Sequence, residues 1–186
     1  MEQKRKFSVL EEKLVYKSKW LSISQLATET DNNGKGTYDV VNKADCVSII
    51  IENQNDEILL VKSYRFPTRI YEWELPMGGV DADEPPDSTA KRELNEETGL
   101  DEVTLRKIGK FYPIPGLSSQ LAYLYYGKID KLASDIAKNY GEIMDEIVDR
   151  KFFSYSEVIE MIKEGNISDG LTLSSLAIWK ILGESK

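Results

Sequence analysis

Glu93, Glu96 and Glu97 lie in the stretch 73–100, WELPMGGVDADEPPDSTAKRELNEETGL, the second and third standing three and four residues after the first. On a helix that spacing gathers their carboxylates on one face within a few ångströms. Carboxylates so crowded repel. They find relief by protonating, by turning into water, or by sharing divalent cations, for which they are hard oxygen ligands of the kind magnesium and manganese take. Arg92 has Glu96 one turn ahead and Glu84 behind it, so its expected work is to hold a ligand in place rather than to meet a substrate.

Such a group needs elements to position it. Residues 86–98 contain no glycine and are followed by Gly99, which suits the left-handed position past a helix C-terminus, while Pro85 or Pro86 suits the first turn. The spacing therefore predicts a helix over 86–98, entered from a loop at Gly78 and Gly79 that is fed by a strand at Tyr71–Leu75. Leu94 and Leu100 are expected in the core, which sets the direction of the acidic face. A glutamate-rich face is ordinarily just solvated, and with 32 acidic residues in the chain that is the default for three glutamates alone. The wider pattern decides otherwise. Seven specified positions, each met at about one in fifteen by ordinary usage, match by chance on the order of 10⁻⁸ at one start point.

The rest of the chain narrows the chemistry. With 186 residues, 41% hydrophobic and 30% charged, one domain with a substantial core is expected. There is no histidine, which removes the usual general base, Ser-His and Cys-His pairs and histidine-bound zinc. Cys46 is the single cysteine, so no intrachain disulfide forms, and its apolar surroundings assign it to packing. A net charge of −8 with no basic stripe argues against a nucleic-acid backbone binder, so an anionic substrate needs cations and local arginines. No aliphatic run reaches membrane-spanning length, and the N-terminus has no apolar segment of signal-peptide type; a cytoplasmic protein without membrane partners is expected.

Alternation over 9–30, the turn Asp31-Asn32-Asn33-Gly34 and a return over Thr37–Asn42 predict a small antiparallel unit that can hardly bury a core alone. Trp20 within it is suited to core or interface packing, or to stacking on a nucleobase. Cys46–Glu52 and Glu57–Ser63 read as a buried hairpin, ending at Tyr64-Arg65-Phe66-Pro67, where Arg65 is either a surface charge or a phosphate ligand at the strand end. Strands are expected at Val103–Phe111, Leu121–Ile129 and Glu146–Phe153. Between the last two, residues 131–145 read as a loop, with Glu142, Asp145 and Glu146 able to reach toward the acidic face. Ser154-Tyr155-Ser156-Glu157 is a capping box for a helix closing at Gly165, and a last helix from Asp169 is expected to bury Leu171, Ile178, Ile181 and Leu182.

The pattern Gly78-x5-Glu84-x7-Arg92-Glu93-Leu94-x-Glu96-Glu97-x-Gly99-Leu100 resembles the Nudix box of hydrolases that cleave nucleoside diphosphates linked to another group, matching it at every fixed position. Softer features extend the resemblance to the ADP-ribose pyrophosphatase and nucleoside diphosphate-sugar hydrolase branch: the N-terminal unit, Tyr-Arg-x-Pro, Glu74-Leu75-Pro76, Pro115-Gly116, and Gly165 to Thr172. It implies an α/β (α+β) Nudix fold, a mixed β-sheet sandwich flanked by helices with an N-terminal antiparallel strand extension. Residues 1–44 would be that extension, building a homodimer and framing the nucleoside, and 45–186 the hydrolase domain.

By the same resemblance Glu93, Glu96, Glu97 and the Met77 carbonyl would hold two to three Mg²⁺ or Mn²⁺ ions, with Glu93 and Glu97 catalytic and Glu84 and Arg92 orienting. Arg65, Gly78 and Gly79 would meet the substrate. Glu146, or else Glu142, would position or deprotonate water. Where the branch carries an acid after Pro-Gly this chain has Gln120, which with Trp20 bears on the choice of sugar and base. The implied reaction is Mg²⁺-dependent hydrolysis of ADP-ribose to AMP and ribose 5-phosphate. GDP-mannose or another nucleotide sugar, a nucleoside triphosphate, and a catalytically silent ligand-binding module are the alternatives.

Overall fold

The computed structural model describes residues 6–32, 34–130 and 147–183, so Glu142, Asp145 and Glu146 lie outside the described residues. Two compact units divide the chain, one of residues 1–44 with 114–121 and the other of 45–113 with 122–186.

The smaller unit is an antiparallel sheet of β1 (Phe7–Lys17), β2 (Leu21–Thr30) and β3 (Gly34–Lys43), paired in that order. Gly34 takes a φ of 68°, a left-handed conformation that glycine adopts without strain. At the first turn Ser18 Oγ accepts the N–H groups of Trp20 and Leu21 at 3.1 and 3.2 Å. Segment 114–121 adds Leu117, whose carbonyl accepts the Val41 N–H at 2.9 Å, and Gln120, whose Nε2 donates to the Ala44 carbonyl at 2.6 Å. Within this unit Phe7, Val9, Leu14, Tyr16 and Trp20 are all more than half exposed. Three strands with that much bare apolar surface are marginal as an independent fold.

The larger unit carries a seven-stranded mixed sheet. Its strands are β4 (Cys46–Glu52), β5 (Glu57–Arg65), β6 (Ile70–Glu74), β7 (Met77–Gly79), β8 (Arg106–Phe111), β9 (Ala122–Lys128) and β10 (Ile147–Ser154). The order β10-β5-β4-β9-β8 runs through a parallel β4–β9 pair; β6 joins β5 and β7 joins β4. The expected β4–β5 hairpin closes with one residue pair, Glu52 with Ile58, after which β5 pairs with β10 and β6. Strands this apolar are buried on both faces and take partners along both edges, so adjacency in sequence does not settle pairing.

Period-two alternation sorts β4 between two cores. Val47, Ile49 and Ile51 face α1 (Pro86–Thr98) through Ala90 and Leu94, whereas Ile50 faces α2 (Tyr155–Lys163) and α3 (Gly170–Gly183) through Val158 and Leu176. α1 thus covers one side of the sheet and the other two helices cover the opposite side.

The capping box of α2 forms as expected: Ser154 Oγ accepts the Glu157 N–H and Glu157 accepts the Ser154 N–H at 2.7 Å. Ser154→Ala should cost about 1 kcal/mol, read as a lower urea midpoint at unchanged slope. The Ser154 hydrogen bonds hold the Glu157 carboxyl below its ordinary value of 4.5. Its contribution is therefore present above that pH and is lost as pH falls through the folded value.

α3 departs from expectation. Ile181 and Leu182 are exposed, and the buried face is Thr172, Ser175 and Leu176 with Trp179 partly covered. Polar positions occupy that face because their hydroxyls find partners there: Ser175 Oγ donates to Ser48 Oγ at 3.0 Å, and Thr172 Oγ1 accepts the Leu75 N–H at 3.1 Å.

Candidate active site

The site is built where α1 runs beside β7. Pro86 opens the helix and Gly99 closes it at φ 71°, its N–H returning to the Asn95 carbonyl at 2.7 Å. Leu94 and Leu100 are 2% exposed, which turns Glu93 and Glu97 toward the backbone of Met77–Gly79. The two glycines belong to a short strand, not the expected loop: Gly78 pairs with Val47 and Gly79 with Cys46.

That pairing explains one of the glycines. A Cβ on Gly78 would stand 1.9 Å from the Glu93 carboxyl carbon and 2.2 Å from each of its oxygens, so only glycine lets this carboxylate seat against the strand. At Gly79 a Cβ would meet nothing within 4 Å; its carbonyl instead accepts Arg92 Nη2 at 3.2 Å.

Arg92 uses its whole fork. Nε reaches Glu84 at 3.2 Å, Nη1 reaches Glu93 at 2.6 Å and Glu96 at 3.1 Å, and Nη2 reaches Glu84 at 2.9 Å besides the Gly79 carbonyl. Five donors therefore meet five acceptors, and both expected partners, Glu84 and Glu96, are engaged. Arg92 holds the Glu84 carboxyl below the usual range, with Thr89 Oγ1 adding a hydrogen bond at 2.8 Å.

Glu97 has a different environment. Its Oε2 accepts the Met77 N–H at 3.0 Å, and loss of water around the carboxyl, outweighing that bond, pushes its pKa up to about 8. Burial likewise raises Glu93 against the pull of Arg92. Arg92 thus faces the carboxylates of Glu84, Glu93 and Glu96, with Asp81 3.8 Å away, while the charge acting on Glu97 is that of Arg65; when ionised these acids outnumber the two guanidiniums, and burial leaves Glu93 and Glu97 poorly hydrated. Added positive charge is the natural complement.

The donor set suits a hard divalent ion. Among the described residues no three acids stand close enough to close a cage by themselves. Magnesium is commonly bound by one or two carboxylates, with water and substrate phosphate oxygens completing the shell. Glu93 and Glu97 could serve in that way, with exposed Glu96 beside them.

Arg65, expected at the end of β5, is held by the fully buried Glu74: Nε lies 2.8 and 3.0 Å from its two oxygens and Nη2 bonds to it as well. The Arg65 side chain remains 36% exposed, and its charge acts on Glu97. Glu74 was not among the candidate site residues; burial raises its pKa despite the arginine. Two more supports were missed. Arg150 of β10 donates to the Glu97 carbonyl at the end of α1, and Glu72 accepts from Ser168 at its N–H (3.1 Å) and Oγ (2.6 Å). Alternation within β6 marks Glu72 and Glu74 as one face, a signal that two buried acids need partners. Trp20 and Gln120 belong to the smaller unit, Trp20 72% exposed with Lys19 Nζ 4.6 Å above its ring.

Comparison with known proteins agrees with this arrangement. The NUDIX domain family model matches residues 42–174. A CMP-5'-(N-acetyl-N-hydroxy-3-aminopropyl)phosphonate hydrolase of Streptomyces rubellomurinus is 25% identical over 90% of this chain and 79% of its own length. An ADP-ribose pyrophosphatase of Bacillus subtilis is 26% identical over 75% of each chain. The fold matches a crystal structure of an ADP compounds hydrolase with a TM-score of 0.77 at 17% identity, covering 97% of this chain and 95% of the other.

Proposed function

The chain belongs to the NUDIX family of pyrophosphohydrolases, and from that membership we propose that it hydrolyses a nucleoside diphosphate linked to a sugar, ADP-ribose first among them. One observation carries the reading: two poorly hydrated carboxylates, Glu93 and Glu97, seated against the Met77–Gly79 backbone beside a saturated Arg92. A silent binding module has no use for that repulsion.

In this reading Glu93, Glu97, Glu96 and the Met77 carbonyl hold two to three Mg²⁺ or Mn²⁺ ions, which supply charge neutralisation at the bridging phosphates and a lowered pKa for bound water. Glu84 and Arg92 fix the acidic face, and Arg65, anchored on Glu74, meets phosphate. Glu146, or Glu142 in its place, positions or deprotonates the attacking water. One water is consumed, one P–O bond of the bridge breaks, and AMP and ribose 5-phosphate leave. The CMP-linked substrate in the name of the Streptomyces relative supports a scissile phosphorus next to a nucleoside monophosphate and leaves the base to the surroundings. Trp20, with its ring exposed, is proposed to stack on the base and Gln120 to bear on the sugar.

The test is phosphorus NMR of the protein with Mg²⁺ and, in turn, ADP-ribose, GDP-mannose, a dinucleoside polyphosphate and a nucleoside triphosphate. The expected result is AMP and ribose 5-phosphate from ADP-ribose, abolished by chelator and restored by Mg²⁺. Faster turnover of GDP-mannose or the triphosphate would move the substrate; no turnover of any would favour the silent module.

We further propose that the bare apolar surface of β1 is covered by a second copy of the chain, making a homodimer in the cytoplasm. The protein should elute at twice its 21.2 kDa mass, and Val9→Asp with Leu14→Asp should elute at the single-chain mass. Among the described residues no helix is long and apolar enough to cross a membrane.

A further inference from the structure

The sheet face opposite α1 holds a cavity of 680 Å³ at the end where β8 and β9 meet α2 and α3. Three aromatic rings line it. Trp179 lies nearly parallel to Tyr126, with centroids 6.3 Å apart and planes 20° from one another, and Tyr155 meets Trp179 edge-on at 6.2 Å. Two cations stand over these rings, Arg106 at 6.0 Å from the Tyr126 centroid and Lys180 Nζ at 4.8 Å from that of Tyr155. Acids close another side: Glu52 accepts the Tyr126 hydroxyl and Lys128 Nζ, each at 3.0 Å, and Asp56 accepts Lys128 at 2.8 Å.

These three kinds of wall ask for different parts of one ligand. Aromatic faces take a planar ring by stacking, and do so whatever the base. Arg106 and Lys180 take an anion; among the described residues Arg106 makes no ion pair, while Lys128 pairs with Glu52 and Asp56. A carboxylate has about four lone-pair positions, so Glu52 and Asp56 keep acceptor capacity for amino or hydroxyl donors after binding Lys128. A planar ring, a terminal anion and several donors describe a nucleoside monophosphate. A bare aromatic acid would leave the acidic wall unused, and inorganic phosphate would leave the rings unused.

We propose that this cavity is a second, non-catalytic binding site for a nucleoside monophosphate, with the base on Trp179 and Tyr126 and the phosphate at Arg106 and Lys180. It lies across the sheet from Glu93 and Glu97, so its occupancy is separable from hydrolysis. If the enzyme releases AMP, the site is placed to report product.

Isothermal titration with AMP in the presence of EDTA tests the proposal without depending on turnover. Saturable binding is expected to the wild type and to Glu97→Gln alike. The double variant Arg106→Glu, Lys180→Glu changes surface charge without touching the core, and should weaken AMP at least tenfold; Trp179→Leu should do the same while keeping an apolar side chain at that position. Adenosine and 4-hydroxybenzoate should each bind at least tenfold more weakly than AMP. Absence of saturable AMP binding, equal binding to the charge-reversed variant, or equal affinity for 4-hydroxybenzoate would overturn it. A failure here leaves the phosphorus NMR result untouched, and the converse also holds.

Discussion

Glu97→Gln is expected to lower turnover by about 10³-fold, on the order of 4 kcal/mol in barrier height, with the folded structure retained. Glutamine keeps the volume and keeps a carbonyl oxygen able to accept the Met77 N–H, so the contact between α1 and β7 survives. What it loses is the negative charge. That charge is expensive in the metal-free protein, because the carboxyl is stripped of water and its pKa rises to about 8. For a raised carboxyl the stabilising contribution is complete below the ordinary 4.5 and disappears as pH rises through the folded value. The neutral amide has no such loss, so thermal unfolding of Glu97→Gln at pH 8 without metal should come at or above the wild-type temperature. Activity and stability then move in opposite directions, as expected of a group retained for chemistry at some cost to the fold. Full activity in the variant would remove Glu97 from the reaction.

The residues behind that result were legible to different degrees. α1 was readable to its ends because its signals are local: proline at the start, glycine in a left-handed conformation at the finish, and leucines spaced to face the core. The capping box of α2 was equally local. The partners of Arg92 were readable because Glu96 lies one helical turn away and Glu84 precedes the same helix. Beyond that range the sequence underdetermines the answer. Nothing in Cys46–Glu52 says that it runs parallel to Ala122–Lys128, since strand choice is made by burial on both faces and by a crossover spanning the intervening chain.

The same reason hid the Arg65–Glu74 pair, a diagonal contact across β5 and β6 in which Arg65 stands opposite Ile70 and Glu74 opposite Val61, and the buried face of α3. There Thr172 and Ser175 outrank Ile181 and Leu182 because hydrogen bonding to Leu75 and Ser48 makes burial of a hydroxyl inexpensive. Thr172 also belongs to the chemistry at one remove. It holds the Leu75 N–H two residues before Met77, whose own N–H holds Glu97. The Gly165 to Thr172 segment, a soft motif in sequence, thus acts as a brace under the strand that receives the carboxylates.

Gly78→Ala is the sharper test of that geometry, because it adds one methyl group and no charge. The methyl would overlap the Glu93 carboxyl, whose nearest atom stands 1.9 Å from the new carbon, and the strand cannot retreat while Gly78 remains paired with Val47. The side chain must give instead. Glu93 would swing off the backbone and draw Arg92 with it, since Nη1 holds that carboxylate at 2.6 Å and Nη2 holds the Gly79 carbonyl. A ligand displaced by an ångström or so costs about 10²-fold in rate. The loss should appear chiefly in kcat and in a raised Mg²⁺ requirement, with little change in unfolding midpoint, because the moved group is a poorly hydrated charge and not an apolar packing residue. Gly79→Ala is the internal control for the seat of Glu93: its added carbon meets nothing within 4 Å in the protein, so a wild-type Mg²⁺ requirement is expected from a change of equal size one residue away, and any loss of rate there belongs to the substrate contact expected of Gly79. Equal Mg²⁺ requirements in the two variants would show that the seat of Glu93 against the strand is incidental to catalysis, and a raised requirement confined to Gly78→Ala would tie the glycine, by steric exclusion alone, to the acidic residue fifteen positions downstream.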